Sequence, residues 1–193
     1  MSTEGNHPGF KKWGTPGLII TFDQSSEWKY ELANLLGDKI DEMPRRYYIS
    51  VKLRERNRPP TGFEIMTVKT ALEERSLKGQ TGWFNAFWPD TCSFLRSGIG
   101  YCVVKNNQIV AWCITIYSGE RRKLGLETQG IFGGLGLGSL TSALCVRDCV
   151  DKGLRPEWHC RESNPASIGV AEKIGFSDPV HYKSLFLNLT KGS

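Results

Sequence analysis

A glycine-rich turn is the segment of this sequence with the clearest potential for chemistry. Glycines stand at positions 130, 133, 134, 136 and 138, between a predicted strand and a predicted helix. Glycine lets the backbone approach a ligand closely and adopt positive φ angles, and the free N–H groups at a helix start attract anions. The turn is therefore predicted to hold a diphosphate. The predicted binding residues are Gly133, Gly134, Leu135, Gly136, Leu137, Gly138 and Ser139.

Two common nucleotide motifs do not fit this turn. A Walker loop ends in glycine, lysine and a hydroxyl residue, whereas Gly138 is followed by Ser139 without a lysine. A Rossmann fingerprint needs a third glycine where Ser139 stands, and the strands predicted before the turn are antiparallel. A diphosphate of the coenzyme A type remains, with a turn that merely connects two elements as the alternative.

A second motif follows the next predicted strand and opens a helix. Asn164 precedes Pro165, which is good chemistry for an N-cap and a first helical residue. Lys173 and Gly175 favour the end of the same helix. Asn164 could therefore cap the helix, contact a ligand, or do both.

Hydrophobic periodicity and turn residues predict the order of elements. The predicted elements are a helix over 25–36, strands over 47–53 and 62–68, a helix over 68–77, a partly helical aromatic stretch over 83–96, a hairpin of strands 99–105 and 108–117, a strand over 123–129, a helix over 137–152, a strand over 156–160, a helix over 164–174 and a last strand over 180–189. Asn106 and Asn107 tolerate the positive φ angles of the hairpin turn. A right-handed crossover between two of the strands predicts an α+β fold with one parallel strand pair.

The composition favours a folded chain without a membrane segment. Apolar residues make up 39% and charged residues 23% of the 193 residues, and no stretch approaches the about 18 consecutive apolar residues of a membrane span. The N-terminus lacks the basic-then-apolar order of a signal peptide, so we expect a cytoplasmic protein with no membrane partner. Residues 57–62 have the composition of a linker, which predicts an N-terminal segment over 1–58 that packs on a main domain over 59–193.

Cysteine spacing and net charge narrow the range of ligands. The six cysteines form no Cys-x-x-Cys pair and no zinc spacing, so we expect buried thiols and no metal. The formal net charge is +5, and six basic residues within 45–58 accompany a single acid. Such a run suits a phosphate-bearing ligand, either coenzyme A or a nucleic acid. A solvated basic surface is the alternative.

From about Pro60 to Leu189, the sequence resembles the GNAT acetyltransferase superfamily and, within it, the zwittermicin A resistance-type group. The matching segments are short, but they occur in order and at the expected spacing. They are residues 60–65, Trp83 with Trp88, residues 94–95, 98–104 and 109–110, the glycine turn, residues 153–158 and the helix over 164–176.

The resemblance implies a central, mixed, mostly antiparallel sheet that is splayed at one parallel strand pair and flanked by helices. Acetyl-CoA or another acyl-CoA would lie in the opening as the cosubstrate. The glycine turn corresponds to the pyrophosphate loop of the superfamily, although Gly133 replaces the usual arginine or glutamine. The pantetheine arm is expected along Leu126 and Thr128, and Asn164 corresponds to an asparagine that commonly contacts this arm.

The resemblance also implies that an amine attacks the thioester directly, so that an acid is expected to protonate the departing thiolate. The superfamily often supplies this acid from a tyrosine on the last helix, and Ala171 occupies that position here. Ser167, Cys160 and Tyr182 are the expected substitutes.

A base is also expected for the attacking amine, and two residues compete for this role. Glu127 lies on the strand beside the opening and is the first choice. His159 is the alternative, because the ordinary pKa of histidine lies near neutral pH. A structural histidine that faces the surface is the other interpretation of His159.

Together these features predict an N-acyltransferase that moves an acetyl or other acyl group from acyl-CoA to the amine of a small molecule. Two alternatives stay open. The basic run 45–58 and the absent side chain at Gly133 suit a GNAT-fold transferase that uses aminoacyl-tRNA or acylates tRNA. The alanine at position 171 suits a non-catalytic acyl-CoA sensor. If the chain associates with itself, we expect a homodimer.

Overall fold

The computed structural model describes residues 17–20, 31, 34, 35, 37–54, 58–74, 76–116 and 119–188. The helix predicted over 25–36 lies largely outside the described residues. No helix in the described ranges is both long enough and apolar enough to cross a bilayer.

Within these described ranges, eight strands form one mixed sheet in the order β1-β10-β2-β8-β7-β6-β5-β4, and β3 pairs with β9 in a separate ladder. The strands are β1 (Gly17–Ile20), β2 (Ile40–Tyr48), β3 (Ser50–Val51), β4 (Glu64–Thr67), β5 (Gly100–Lys105), β6 (Gln108–Ile116), β7 (Arg121–Thr128), β8 (Arg155–Arg161), β9 (Phe176–Ser177) and β10 (Val180–Asn188). The helices are α1 (Val68–Glu73), α2 (Thr91–Ser97), α3 (Leu137–Asp151) and α4 (Pro165–Ile174). Every pair in the main sheet is antiparallel except β7 with β8, which confirms the predicted fold class.

Helices cover both faces of the sheet, so each face has its own apolar core. Helices α3 and α4 pack on the face that carries Trp158, whereas α1 and α2 pack on the face that carries Trp112. Both indoles are essentially buried, and Phe94 is fully buried beside Trp112. Burial of one such large apolar side chain contributes about 1.5–3 kcal/mol, so each core fixes its helices firmly on the sheet.

Most predicted elements are confirmed, including the hairpin turn, where Asn106 and Asn107 have φ angles of 47° and 62°. The strand predicted over 47–53 was correct in part, because residues 47, 48, 50 and 51 lie in strands, but its bounds were wrong: β2 begins at Ile40 and ends at Tyr48, and β3 is separate. Pro44 argues against a strand in the sequence, because proline has no N–H to donate to a neighbouring strand. It is tolerated because the pairing of β2 with β8 covers only residues 45–48 of β2. The helix predicted over 68–77 ends at Glu73.

The boundary predicted near residue 58 divides strands of one sheet. Strand β2 precedes the boundary and lies between β10 and β8, which both follow it. The N-terminal segment therefore supplies an interior strand, and residues 45 to 48 of that strand lie directly beside β8.

The parallel ladder between β7 and β8 is short. It covers three residue pairs, from Arg121↔Arg155 to Lys123↔Glu157. Beyond this point β8 pairs with β2, while β7 continues to Thr128 with only β6 as its strand partner among the described residues. The carboxyl-terminal halves of β7 and β8 therefore part, and we refer to the gap between them as the opening. Ligands of open sheets commonly bind at such a place.

We predict that Gly175→Ala destabilises the protein by roughly 2–4 kcal/mol. Gly175 ends α4 with a φ of 113°, and an added Cβ would lie 2.0 Å from the carbonyl oxygen of Lys52. The matched control is Gly169→Ala in the same helix, where nothing lies within 4 Å of the added Cβ. The control should change stability by less than about 1 kcal/mol, and in the stabilising direction. Urea unfolding measures both, and equal midpoints would contradict the prediction.

Candidate active site

The glycine turn connects the carboxyl end of β7 to the first residue of α3. Gly134 and Gly136 have φ angles of 78° and 77°, in the left-handed region that favours glycine. Gly136 is the N-cap of α3 and makes no side-chain capping hydrogen bond. No side-chain cap therefore occupies the N–H groups of the first helical turn, which can donate hydrogen bonds to an anion, as the sequence predicts.

Close packing fixes the start of α3 against β7. A Cβ added at Gly138 would lie 3.0 Å from Thr128 Oγ1 and 3.6 Å from Leu126 Cδ1. Leu137 and Ser139 are buried, whereas Gly133, Gly134 and Leu135 are exposed. The turn thus presents exposed backbone beside the opening, which fits the diphosphate of a coenzyme A molecule.

Asn164 lies across the opening, at the carboxyl end of β8. Its Oδ1 accepts a hydrogen bond from Ser167 N at 3.0 Å, which caps α4. Its backbone N–H donates to the carbonyl oxygen of Arg161 at 3.1 Å. The capping role is confirmed, and contact with a pantetheine arm stays a prediction.

Three of the four predicted catalytic residues share one face of the sheet. Directly paired residues of neighbouring strands share a face. The pairs Trp112↔Glu127, Tyr47↔His159 and Arg45↔Tyr182 all belong to the face opposite α3 and α4. We call it the acceptor face.

Ser167 lies on the other side of the sheet, where its Oγ accepts a hydrogen bond from Trp158 Nε1 at 3.1 Å. Ser167 and the acceptor-face residues are therefore separated by the sheet.

A chain of hydrogen bonds surrounds His159 on the acceptor face. His159 Nε2 lies 3.3 Å from Glu157 Oε2, and His159 Nδ1 lies 3.1 Å from Tyr182 Oη. Arg121 Nε donates to Glu157 Oε1, and Arg45 Nε donates to Tyr182 Oη at 3.0 Å. A carboxylate only accepts hydrogen bonds, which assigns the imidazole proton to Nε2. Nδ1 then accepts from the Tyr182 hydroxyl.

The surroundings of His159 favour its neutral form. Burial and the positive charge of Lys123 lower its pKa to about 4, although the hydrogen bond and charge of Glu157 act in the opposite direction. The ring of Tyr47 stacks on the imidazole at a centroid distance of 5.3 Å. At neutral pH, His159 is thus a fixed, uncharged proton acceptor.

Sequence reasoning missed Glu157, Arg121, Arg45 and Tyr47. Glu157 could have been found, because it precedes His159 by two residues on a predicted strand and therefore shares its face. Arg45 could not, since its strand was predicted to begin at residue 47. Tyr47 could not, because its pairing with His159 joins strands that are far apart in the chain.

The basic run 45–58 does not form one surface where the structure describes it. Arg45 faces the Tyr182 hydroxyl, whereas Arg46 interacts with Tyr48 on the other face of β2. Strand alternation therefore divides the first two arginines of the run.

Five of the six cysteines are buried, as predicted, and Cys92 is exposed. No three metal-binding side chains come together within the described ranges.

Comparison with known proteins identifies the family. The sequence matches the GNAT acetyltransferase family profile over residues 10–185, which is most of the chain. The chain belongs to the GNAT acetyltransferase family. The narrower resemblance to the zwittermicin A resistance-type group stays a prediction.

The proteins that this GNAT chain resembles include several that are longer than the chain itself. It is 25% identical over 164 residues to an uncharacterized N-acetyltransferase, YdfB, from Bacillus subtilis, and the alignment covers 83% of this chain and 63% of that protein. The fold resembles a GCN5-related N-acetyltransferase-like protein from Streptococcus suis, with a TM-score of 0.65, 22% identity and coverage of 84% and 68% of the two chains. A tandem GNAT protein from the clavulanic acid biosynthesis pathway has a TM-score of 0.53 and 13% identity, with coverage of 88% and 62%. The chain thus spans about 63% of the curated relative it matches.

Ala171, which the resemblance aligned with the usual acid of GNAT enzymes, is fully buried. It packs in the core with Trp158 and Ile174. Position 171 therefore supplies apolar contact.

We predict that His159 makes this GNAT protein less stable as the pH falls from about 6.5 to about 4. The pKa of His159 is lowered in the folded state, so the unfolded chain binds a proton in this window and the folded chain does not. His159→Gln should reduce the slope of the free energy of unfolding against pH by at most about 1.4 kcal/mol per pH unit. His181→Gln, at an exposed position, is the control, and equal slopes in all three proteins would refute the prediction.

Proposed function

We propose that this GNAT protein transfers an acyl group from acyl-CoA to the amine nitrogen of a small molecule bound on the acceptor face. The observation that carries the proposal is the hydrogen-bonded chain Glu157–His159–Tyr182 beside the opening between β7 and β8. The glycine turn lies at the carboxyl end of β7, on the helix side of the same opening. This arrangement supports a reaction in which the acyl donor enters the opening from the helix side and the amine enters it from the acceptor face.

In this proposal the acyl donor is held by backbone rather than by charged side chains. Its diphosphate would lie on the N–H groups of residues 134–139, and its pantetheine arm along Leu126, Thr128 and Asn164. The edge of β7 beyond Lys123 has no strand partner on the β8 side within the described residues, and unpaired backbone groups need a hydrogen-bonding partner. When bound, the thioester would supply an electrophilic carbonyl carbon, and its carbon–sulfur bond would break to release coenzyme A as a thiolate.

Proton removal from the acceptor is assigned to Tyr182 and His159. Tyr182 Oη can take a proton from the amine while its own proton passes to His159 Nδ1. Arg45 Nε, 3.0 Å from the same oxygen, stabilises negative charge that develops there. Glu157 stabilises the imidazolium through Nε2, and Arg121 fixes Glu157.

Glu127 is a second base on the same face, next to an apolar wall. The side chains of Ile116 and Phe87 lie over Gly125, since an added Cβ there would be 3.0 Å from Ile116 Cδ1 and 3.7 Å from Phe87 Cζ. Phe87 also contacts Trp112, which is paired with Glu127 across the strands. This wall supports an acceptor with an apolar portion near its amine.

Two observations bear on the alternatives. The basic run gives little support to a tRNA-dependent transferase, because strand alternation places Arg45 and Arg46 on opposite faces of the sheet. A non-catalytic sensor was suggested by Ala171, and the proton-transfer groups on the acceptor face offer a substitute for the side chain missing there.

We predict that Gly136→Asp weakens acetyl-CoA binding at least about tenfold while the protein stays folded. Aspartate tolerates the left-handed backbone better than most residues, and its carboxylate would repel a diphosphate at the helix start. Gly153→Asp is the matched control, because Gly153 follows the other end of the same helix with a φ of 70° and open space around its Cβ. Calorimetry measures the dissociation constants, and unchanged affinity would show that the turn only connects two elements.

We predict that Tyr182→Phe lowers kcat about 100-fold, since it removes a proton-transfer group and retains the ring. The KM for acyl-CoA should stay the same, because Tyr182 lies on the acceptor face. Glu127→Gln tests the rival base, and Ser167→Ala is the control on the helix side. Assignment of the proton transfer to Tyr182 fails if Tyr182→Phe and Ser167→Ala have equal kcat values.

A further inference from the structure

We infer that the acceptor amine carries an anionic group, a carboxylate or a phosphate, which binds between Arg45 and Arg161. This inference rests on the proposed function and names the substrate class of the same site. It begins from the register of β2 and β8, in which Arg45 and Arg161 are direct cross-strand partners on the acceptor face. Two like charges in this position destabilise a sheet unless a counter-charge lies between them.

Within the described part of the chain, the contacts of Arg45 and Arg161 include no such counter-charge. Arg45 donates hydrogen bonds to Tyr182 Oη and to Met43 Sδ, neither of which is anionic. Among the described residues, no carboxylate pairs with Arg161, which is exposed. The next acid along the chain, Glu162, contacts His181 on the other face of the sheet.

The carboxylate that contacts His159 on the same face is already engaged. Glu157 binds Arg121 and His159. Lys123, the cross-strand partner of Glu157, and Arg45 both act as positive charges on the imidazole. Arg161 follows His159 by two residues on the same face, so this end of the face carries several cations beside a neutral histidine.

These cations are separated from the expected position of the coenzyme A phosphates. The glycine turn and α3 lie on the opposite side of the sheet from Arg45 and Arg161. A small anion on the acceptor face would instead belong to the acceptor molecule. Two guanidinium groups suit it well, because each can donate two parallel hydrogen bonds to a carboxylate or phosphate.

The position of the pair also sets the geometry of the acceptor. Arg161 is the last residue of β8 and follows His159 by two residues on the same face, a separation of about 6–7 Å along a strand. An anion at the arginine pair would therefore hold an amine a few bonds away close to Tyr182 and His159. An α-amino acid, or a short amine that bears a phosphate, has this spacing.

The experiment uses the full chain, acetyl-CoA and matched acceptor pairs that differ by one charged group. The carboxylate pairs are the α-amino acids and their carboxamides, and the phosphate pair is phosphoethanolamine and ethanolamine. We expect kcat/KM to favour the anionic member of at least one pair by about tenfold or more. A preference confined to the amino acids identifies a carboxylate, and one confined to phosphoethanolamine identifies a phosphate.

Arg161→Gln should remove this preference by lowering kcat/KM for the anionic member alone, about ten- to a hundredfold. Arg155→Gln is the matched control, because Arg155 is exposed on the same strand and face but at the far end from the opening. The control should retain the wild-type preference. Affinity for acetyl-CoA, measured by calorimetry, should be the same in all three proteins.

Several results would overturn the inference. These are equal use of charged and neutral acceptors, acylation of neutral amines alone, no acylation of any member of the pairs by a protein that binds acetyl-CoA, or an equal loss for both members in Arg161→Gln. Salt-sensitive tRNA binding that weakens in Arg161→Gln would assign the arginine pair to a nucleic acid instead. Failure of the wild-type protein to bind any acyl-CoA would refute the proposed function separately. Calorimetry with the amino acids and with phosphoethanolamine then tests the arginine pair without a donor, and equal affinity in the wild type and in Arg161→Gln would overturn the inference.

Discussion

The parallel ladder between β7 and β8 ends after three residue pairs, and the rest of the site is arranged around this break. An unbroken ladder would satisfy the backbone of both strands and leave no passage between the faces of the sheet. Once the strands part, β8 satisfies its backbone through β2, whereas the β8-facing edge of β7 needs another partner. The large cores on both faces keep the parted strands in place.

The break also separates two electrostatic environments. On the helix side, the start of α3 offers backbone N–H groups that attract a diphosphate without a charged side chain. On the acceptor face, arginine and lysine side chains surround a neutral histidine whose two nitrogens are both engaged. In the proposed scheme the donor binds to the first environment and the acceptor to the second, and the two meet only at the opening.

Two departures from the family pattern agree with this separation of donor binding and acceptor binding. Gly133 leaves the glycine turn without the polar side chain that the family resemblance leads us to expect, so that in the proposed scheme backbone geometry is the main determinant of donor binding. Ala171 removes the usual acid from the last helix and contributes to the core instead. The proposed proton transfer therefore moves to strands β8 and β10, where Tyr182 reaches across β2 to His159.

Local patterns in the sequence determined much of the framework. Glycine spacing and periodicity predicted the turn before α3, the hairpin at Asn106 and Asn107, and the order of elements after residue 60, because these depend on backbone preference and on short-range alternation. The same segments carried the resemblance to the GNAT family. Strand β2 was not fully predicted, because Pro44 and the charged residues around it are unusual in an interior strand. The proline is tolerated there because the pairing of β2 with β8 has ended at that residue.

Only the tertiary structure decided which chemical groups meet. Arg45 lies 137 residues from Tyr182 in the chain, and Glu157 lies 36 residues from Arg121, yet both pairs are joined by hydrogen bonds. Such contacts depend on strand order and register, which no local pattern encodes. The same register separated Ser167 from the other predicted catalytic residues and made direct neighbours of Arg45 and Arg161. Residue types determined what chemistry this chain could perform, and the pairing of distant strands decided where the reacting groups lie.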